Sequence, residues 1–474
     1  MTVTTRLDRS SWRPIHTRIL LALGVGWALD SFEVQIIGSV IRPLAKEFGL
    51  TDAAGAVLPW ALSTTWVVWF VGLMIGASGF GWLADRVGRK RLFVATLLVY
   101  SLAAVLTAFS PNFAVFLLFR FVTAMGVGGE YSAITSAITE FVPARKRGAA
   151  TAATLSFWSI GGIAAGLIGI GFLNGLIARQ VTVGGVDLAG WRLCLLAGAL
   201  AAGYALIARR AIPESPRWLA AQGRRVEADA IVTRITGLPD DGSDPVGVDV
   251  RRSFRSQLAE LWRGWRGRLV YGMVLEFCAT GAYYGLFTFF GAYVLVKGQV
   301  EVADGTVPFY YLIGNVGALV GGLSVAAVID RAGRRYTVLV AYGTAAVSVL
   351  LLALAALTRS PGLTLVAFTL CVFAATCSWI SAYTTFAELF PTELRATGVG
   401  VSVSAGRIGG MVGVVGLSYT VGGLGLVTAF ALLAAFFALG ALASVVWGSL
   451  RGPEGRGMSL DDLSPSLALP TARS

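Results

Sequence analysis

Twelve stretches of the chain run for about twenty residues with hardly a charged side chain, long enough for a helix rising 1.5 Å per residue to cross a bilayer. They fall at about 19–41, 56–81, 92–109, 113–141, 149–177, 191–208, 269–296, 307–329, 337–357, 362–390, 397–419 and 426–448. A polar stretch from Arg209 to Arg268 divides them six and six. The pattern predicts an all-α integral membrane protein of two six-helix halves, 19–208 and 269–448. Segment 1–18, loop 209–268 and tail 449–474 lie outside the bilayer. Within the loop, Phe254, Leu258 and Leu261 recur at helical spacing, which predicts a short surface helix over Ser253–Trp262.

Composition sharpens this class. The 474 residues are 56% hydrophobic and 14% charged, with a mean hydropathy of +0.73, more apolar surface than a water-soluble core buries. Cys194, Cys278, Cys371 and Cys377 all fall within apolar spans, which suggests neither a disulfide framework nor a zinc site. The one histidine, His16, precedes the first span, so proton chemistry inside the membrane must use carboxylates. The N-terminal segment has no short apolar core ending in a small-residue cleavage site, and the first span is expected to be retained.

If both termini are cytoplasmic, 30 lysines and arginines lie in inside segments and six in outside ones. That asymmetry predicts this orientation, in a cell inner (plasma) membrane. It also accounts for the net charge of +12 through topology and anionic membrane lipids, so nucleic acid is not an expected partner.

Away from their ends, the spans hold six charged residues: Asp30, Glu33, Arg120, Glu130, Glu276 and Arg407. A charge at such depth is costly and persists where it lines a cavity, pairs or handles an ion. Counted from the outer ends, Glu33 and Asp30 lie roughly 12 and 16 Å deep and Arg120 roughly 10 Å. Arg120 can therefore pair with Asp30 or with Glu33, and separating such a pair lets the acid take or release a proton. Asp30 is the favoured proton site, with Glu33 or a static pair as alternatives. Glu130 is a further station on a proton path or a partner of Arg120's neighbours. Arg407, near the middle of the eleventh span, can take a carboxylate through two parallel hydrogen bonds, or pair internally with Glu276. Tyr283, Tyr284, Phe287, Trp379 and Tyr383 could enclose a flat ring or simply pack; Gln35, Asn174 and Asn315 are the buried amides.

The halves repeat one another. G-W-L-A-D-R-V-G-R-K-R at Gly81–Arg91 is echoed by D-R-A-G-R-R at Asp330–Arg335, an offset of 330 − 85 = 245. Glu140, Pro143 and Arg147 recur as Glu388, Pro391 and Arg395 at an offset of 248, as do Gly161 and Gly162 as Gly409 and Gly410. At these residues the chain resembles the major facilitator superfamily over essentially every span, which implies a site between the halves near the membrane midplane and alternating access. Pro213-Glu214-Ser-Pro216-Arg217 resembles the signature after the sixth span of sugar porters and organic-ion transporters. In those families Gly81, Asp85, Arg86, Gly88, Arg89, Glu140, Arg147, Glu214, Arg217, Asp330, Arg334, Glu388 and Arg395 would form cytoplasmic charge networks that close the inner gate.

Asp30-Ser-Phe-Glu33 is similar to the acidic pair of the aromatic acid:proton symporters, with Ser31 for the usual glycine and Glu33 for the usual aspartate. Tyr283–Phe287, Glu388–Pro391 and Arg395–Gly400 look like the nicotinate-transporter and synaptic-vesicle-protein-2-like branch; Gly128–Tyr131 looks like the metabolite:proton symporters. The resulting expectation is a monomeric, proton-coupled symporter of a small organic anion, an aromatic or nicotinate-like carboxylate, that needs no cofactor beyond the proton. In its cycle, protonation of Asp30 loosens a hold on Arg120. The alternatives are a sugar, polyol or osmolyte symporter, a proton-antiport exporter of drugs or metabolites, and a non-transporting receptor. No nucleophile–base pair or metal cluster suggests an enzyme.

Overall fold

The computed structural model describes residues 6, 11–52, 55, 57–142, 146–174, 180–183, 186–200, 203, 204, 207, 212–214, 216, 219, 223–237, 254–295, 299–391 and 394–455. Within them the side chains of 78, 81, 82, 84–87, 89, 131–140, 147, 387, 395 and 396, among others, are not described. The first half comprises α1 (Pro14–Glu47), α2 (Pro59–Val87), α3 (Arg89–Ala108), α4 (Phe113–Phe141), α5 (Arg147–Leu155), α6 (Phe157–Leu173) and α7 (Gly190–Leu196). Two loop helices follow, α8 (Arg225–Thr236) and α9 (Phe254–Gly264). The second half comprises α10 (Arg266–Phe289), α11 (Val307–Ala332), α12 (Arg334–Leu357), α13 (Pro361–Glu388), α14 (Arg395–Leu424) and α15 (Leu426–Ser449).

Eleven of these stretches are long and apolar enough to cross a membrane, α5 and α6 together forming one of them. The expected span 191–208 is described only in part, as α7 and a 3₁₀ turn at Ala197–Ala199. The observed helices outrun the apolar windows because polar ends continue the same hydrogen-bond ladder: α1 begins five residues before its predicted start, with Pro14 at its first turn. Among the described residues one connection forms a strand pair. Residues Gln180–Val183 and Val186–Ala189 form an antiparallel hairpin (β1, β2) paired from Gln180↔Ala189 to Val183↔Val186, in a connection whose strand character the hydropathy reading did not reveal. The loop helix α9 lies where helical spacing placed it, but only Leu261 of its apolar residues is buried and Phe254 is exposed.

Helix boundaries follow local chemistry. Asn112 caps α4 by accepting from the Val115 amide at 3.0 Å, and Ser360 caps α13 ahead of Pro361. Gly88 (φ +96°) and Gly333 (φ +89°), at matching places of the repeat, make the sharp turns into α3 and α12 that an L side chain would strain. Close helix crossings follow from glycine too. In the second half α10 and α14 cross closely, where a Cβ at Gly409 or Gly413 would overlap a carbonyl oxygen of α10. Large apolar side chains such as Leu102, Leu118, Leu167, Val320, Leu323 and Leu354 remain exposed around the outside, as a lipid-facing belt requires.

Candidate transport site

In the first half, α1 and α4 bring the four predicted coupling residues into two separate clusters. Arg120 Nη1 meets Glu33 Oε2 at 3.3 Å, and Nη2 donates to the Glu33 carbonyl at 3.2 Å. The guanidinium also lies over the Trp69 ring, 4.1 Å from its centroid. Both members of the pair are buried, so α2 supplies an aromatic face where water would otherwise solvate the cation. Asp30, one turn back on α1, does not reach Arg120. It lies against Glu130 of α4 and Tyr100 of α3, and Thr96 donates to Glu130 Oε1 at 3.4 Å. The expected release of Arg120 by Asp30 is thereby corrected: Glu33, which stands one helical turn nearer the arginine, holds it. Glu130 partners Asp30 rather than the surroundings of Arg120.

A cavity lies between the halves. Val34, Gln35, Gly38 and Ile41 of α1, Leu62 and Trp66 of α2, Tyr283, Tyr284, Phe287 and Thr288 of α10 and Tyr311 of α11 line it. Its volume is about 20 Å³, room for little more than a water molecule, so a ring-sized ligand enters only when the halves part. Aromatic side chains from both halves close it. Tyr283 and Phe287 stack at 4.7 Å, Tyr284 stands edge-on to Phe70 at 4.9 Å, and Trp158 Nε1 donates to the Tyr283 hydroxyl at 3.1 Å. Amides bridge the halves beside it: Asn315 Nδ2 donates to Gln35 Oε1 at 2.8 Å, and Gln35 Nε2 to Ser31 Oγ at 2.7 Å.

Four of the predicted substrate residues, Gln35, Tyr283, Tyr284 and Phe287, thus form the wall, and four stand behind it. Trp379 of α13 lies 6.3 Å from Tyr283, and Tyr383 packs on Trp379 at 6.0 Å. Beyond Trp379, Glu276 of α10 accepts from Thr280 at 3.1 Å and faces Arg407 of α14. Gly406 makes this approach feasible, since a Cβ there would come within 2.5 Å of Glu276 Cγ. Residues not singled out from the sequence add to the aromatic wall: Trp66 and Tyr311 line the cavity, while Phe70 packs on Tyr284, and Trp27 and Trp158 on Trp379 behind it. Single aromatics within apolar helices carry no signal that separates a wall from ordinary packing. Tyr311 has a second place: its hydroxyl accepts from the Gly291 amide at 3.1 Å and donates to the Phe287 carbonyl at 2.5 Å. It enters the α10 ladder where the helix widens into the π-helical turn Phe290–Val294.

At one end of the bundle, Arg334 donates to Glu388 through Nε and Nη2 at 3.0 Å each, and to Asp330 Oδ1 at 2.8 Å. Asp330 Oδ2 accepts from the Ala149 amide of the first half at 3.1 Å. Glu214 accepts from the Lys90 amide at 3.1 Å, and Glu454 accepts from Arg334 and Arg335 at 2.7 and 3.1 Å. Lys90 and Arg335 are equivalent in the repeat, so a Pro-Glu pair after each half supplies an anion to a helix N-terminus. The sequence signal for Glu454 is the dipeptide Pro453-Glu454, which repeats Pro213-Glu214 without the rest of that signature. Gly88 is buried at the α2–α3 turn. The side chains of Asp85, Arg86, Arg89, Glu140, Arg147 and Arg395, the surroundings of Gly81, and Arg217 entirely, lie outside the described residues.

Two repeated helical bundles, a cavity between them and buried charges within both are the arrangement of a carrier. The family described as "Sugar (and other) transporter" matches residues 15–466. The chain belongs to this family of the major facilitator superfamily. It is therefore a multi-pass membrane transporter and not an enzyme. The niacin transporter NiaP of Acinetobacter baylyi is 30% identical over 424 residues, covering 87% of this chain and 88% of that protein. The putative niacin/nicotinamide transporter NiaP of Bacillus subtilis is 31% identical, covering 85% and 88%. The gentisate transporter of Corynebacterium glutamicum is 28% identical, covering 84% and 80%. Among solved structures, the proton:xylose symporter XylE bound to 6-bromo-6-deoxy-D-glucose superposes with a TM-score of 0.73 at 19% identity, covering 95% of this chain and 98% of that one, a likeness of fold.

Proposed function

We propose that this transporter carries a small aromatic carboxylate of the nicotinate kind together with protons. The observation that carries the reading is the ring-lined cavity: flat side chains from both halves suit a flat substrate, and the buried Arg407, which faces Glu276 behind Trp379, suits its carboxylate. Relatives named for niacin and gentisate, both aromatic acids, support it. The Asp30–Glu130 pair supplies the coupling site. Two carboxylates side by side in a low-dielectric interior repel, one shared proton removes the repulsion, and a movement of α1 against α4 changes their separation. Glu33–Arg120 stays a structural ion pair beside it. The charge asymmetry supports a plasma-membrane location with cytoplasmic termini, and the end bearing Asp330 and Glu388 is then the inner gate.

Reconstituted protein with an inward proton gradient tests this. Wild type accumulates nicotinate, and Asp30→Asn loses accumulation while keeping exchange of labelled for unlabelled nicotinate. Gradient-driven accumulation by the Asn variant would remove the carboxyl pair from coupling, and accumulation of xylose instead of nicotinate would replace the substrate class. The sugar alternative has one observation in its favour, the Gln35–Asn315 amides beside the cavity, but here the two amides bond each other.

A further inference from the structure

The second half holds an acid that the coupling scheme does not use. Glu276 is buried (1% exposed), and its carboxyl lies between α10, α13 and α14. Thr280 donates to one oxygen, Trp379 stands beside it, and Gly406 leaves it the space next to Arg407. The titratable and charged groups around it are Arg407 of α14, Tyr342 of α12, whose hydroxyl donates to the Leu275 carbonyl at 2.7 Å, and Cys278 of α10 itself. Arg407 is the one cation among them, so it meets the charge of Glu276 while no other anion is present.

We infer that Glu276 is a second proton-binding site, the internal counter-ion of Arg407, and takes up a proton when a substrate carboxylate claims that arginine. The inference rests on the reading that the substrate is a carboxylate bound at Arg407. The charges decide the step. Arg407 with Glu276 sums to zero; adding a substrate carboxylate leaves a net negative charge in a water-poor place, where a buried charge needs a partner. A proton from the aqueous phase on Glu276 restores neutrality, breaks no other bond and removes the competing negative charge beside Arg407, whose guanidinium can then serve the incoming carboxylate. Trp379, between the cavity and Glu276, is the side chain that must yield for the two to meet. Binding of anion and proton at this place is thus linked, independently of Asp30 and Glu130 in the other half.

Calorimetric titration of nicotinate into the purified chain in nanodiscs, in two buffers of different ionisation enthalpy, counts the protons taken up per bound nicotinate. Wild type is expected to take up about one more proton than Glu276→Gln. In the pH range where Glu276 loses its proton, nicotinate affinity falls up to tenfold per unit in wild type and stays flatter in the variant. Equal proton uptake in the two overturns the inference while leaving carboxylate binding standing. Wild type that binds no nicotinate overturns the carboxylate reading and the inference with it. A second measurement needs no neutral variant: infrared difference spectra of wild type on adding nicotinate should gain a carboxylic-acid C=O band that moves in Glu276→Asp. A spectrum without that band overturns the inference.

Discussion

Arg120 shows how a single residue is made tolerable inside a membrane helix. Its charge is met by the Glu33 carboxylate, one hydrogen bond is taken by the Glu33 carbonyl, and its flat face rests on Trp69, so three groups on two helices share the cost of burial. Such a pair contributes little net stability while intact, but losing one partner strands a charge. Arg120→Gln and Glu33→Gln are therefore each expected to destabilise the purified protein by about 3–5 kcal/mol, and the double variant by clearly less than the sum. Denaturation of all four proteins in one detergent measures the cycle; additive losses would mean that the two groups do not depend on each other. Trp69→Leu keeps the ion pair and loses the ring, and is expected to cost about 2 kcal/mol in the same assay.

At the scale of elements, glycine sets how closely helices cross. Gly413 of α14 lies on the Gly281 carbonyl of α10, so Gly413→Ala must push the two helices apart, whereas a Cβ at Gly343 of α12 meets nothing within 4 Å. Gly413→Ala is expected to cost about 1–3 kcal/mol and to lower the thermal midpoint, and Gly343→Ala to be neutral or slightly stabilising. Equal effects at both positions would contradict the packing described. The elements themselves were legible because twenty apolar residues in a row allow few structures other than a spanning helix. The repeat offset of 245 foretold that the turns at Gly88 and Gly333 match. What remained illegible has a common cause. Asp30 and Glu33 differ by one turn, and hydropathy cannot say which of them a flexible arginine on another helix will meet. Likewise the division of aromatics into cavity wall and outer layer depends on helix rotation, to which an apolar helix carrying rings on several faces gives no clue. The hairpin β1–β2 lay in a connection too short for a periodicity to be read. The break at Ser156 between α5 and α6 carries neither proline nor charge, and it too left no mark in the hydropathy.

For the whole molecule, the arrangement is closed at both ends around a cavity too small for a ring. At one end the Ala149 amide of the first half donates to Asp330 of the second, and Asp330 in turn helps hold Arg334 against Glu388. At the other, Arg42 of α1 donates to the Leu295 carbonyl beyond α10, which joins the halves by a different pair. Among the described residues each end is thus joined by a bond of its own, as a carrier that must release its cargo on either side requires. Asp330→Ala removes the acceptor of the Ala149 amide and one partner of Arg334 without touching the cavity. A hydrogen bond to a charged acceptor contributes about 1.5–3 kcal/mol, so the closed arrangement of that end should lose roughly a tenfold or greater advantage over the open one. The four native cysteines are buried, so they can be exchanged for alanine or serine and a reporter placed as Ala149→Cys, a position half-buried at the junction. Its alkylation by a water-soluble maleimide should run about tenfold or more faster when Asp330→Ala is added, and Arg42→Ala at the far end should slow it by favouring opening there instead. If both substitutions leave the rate unchanged, the two ends are not alternative closures of one carrier, and the Asp330 contact is a local brace rather than part of the gate.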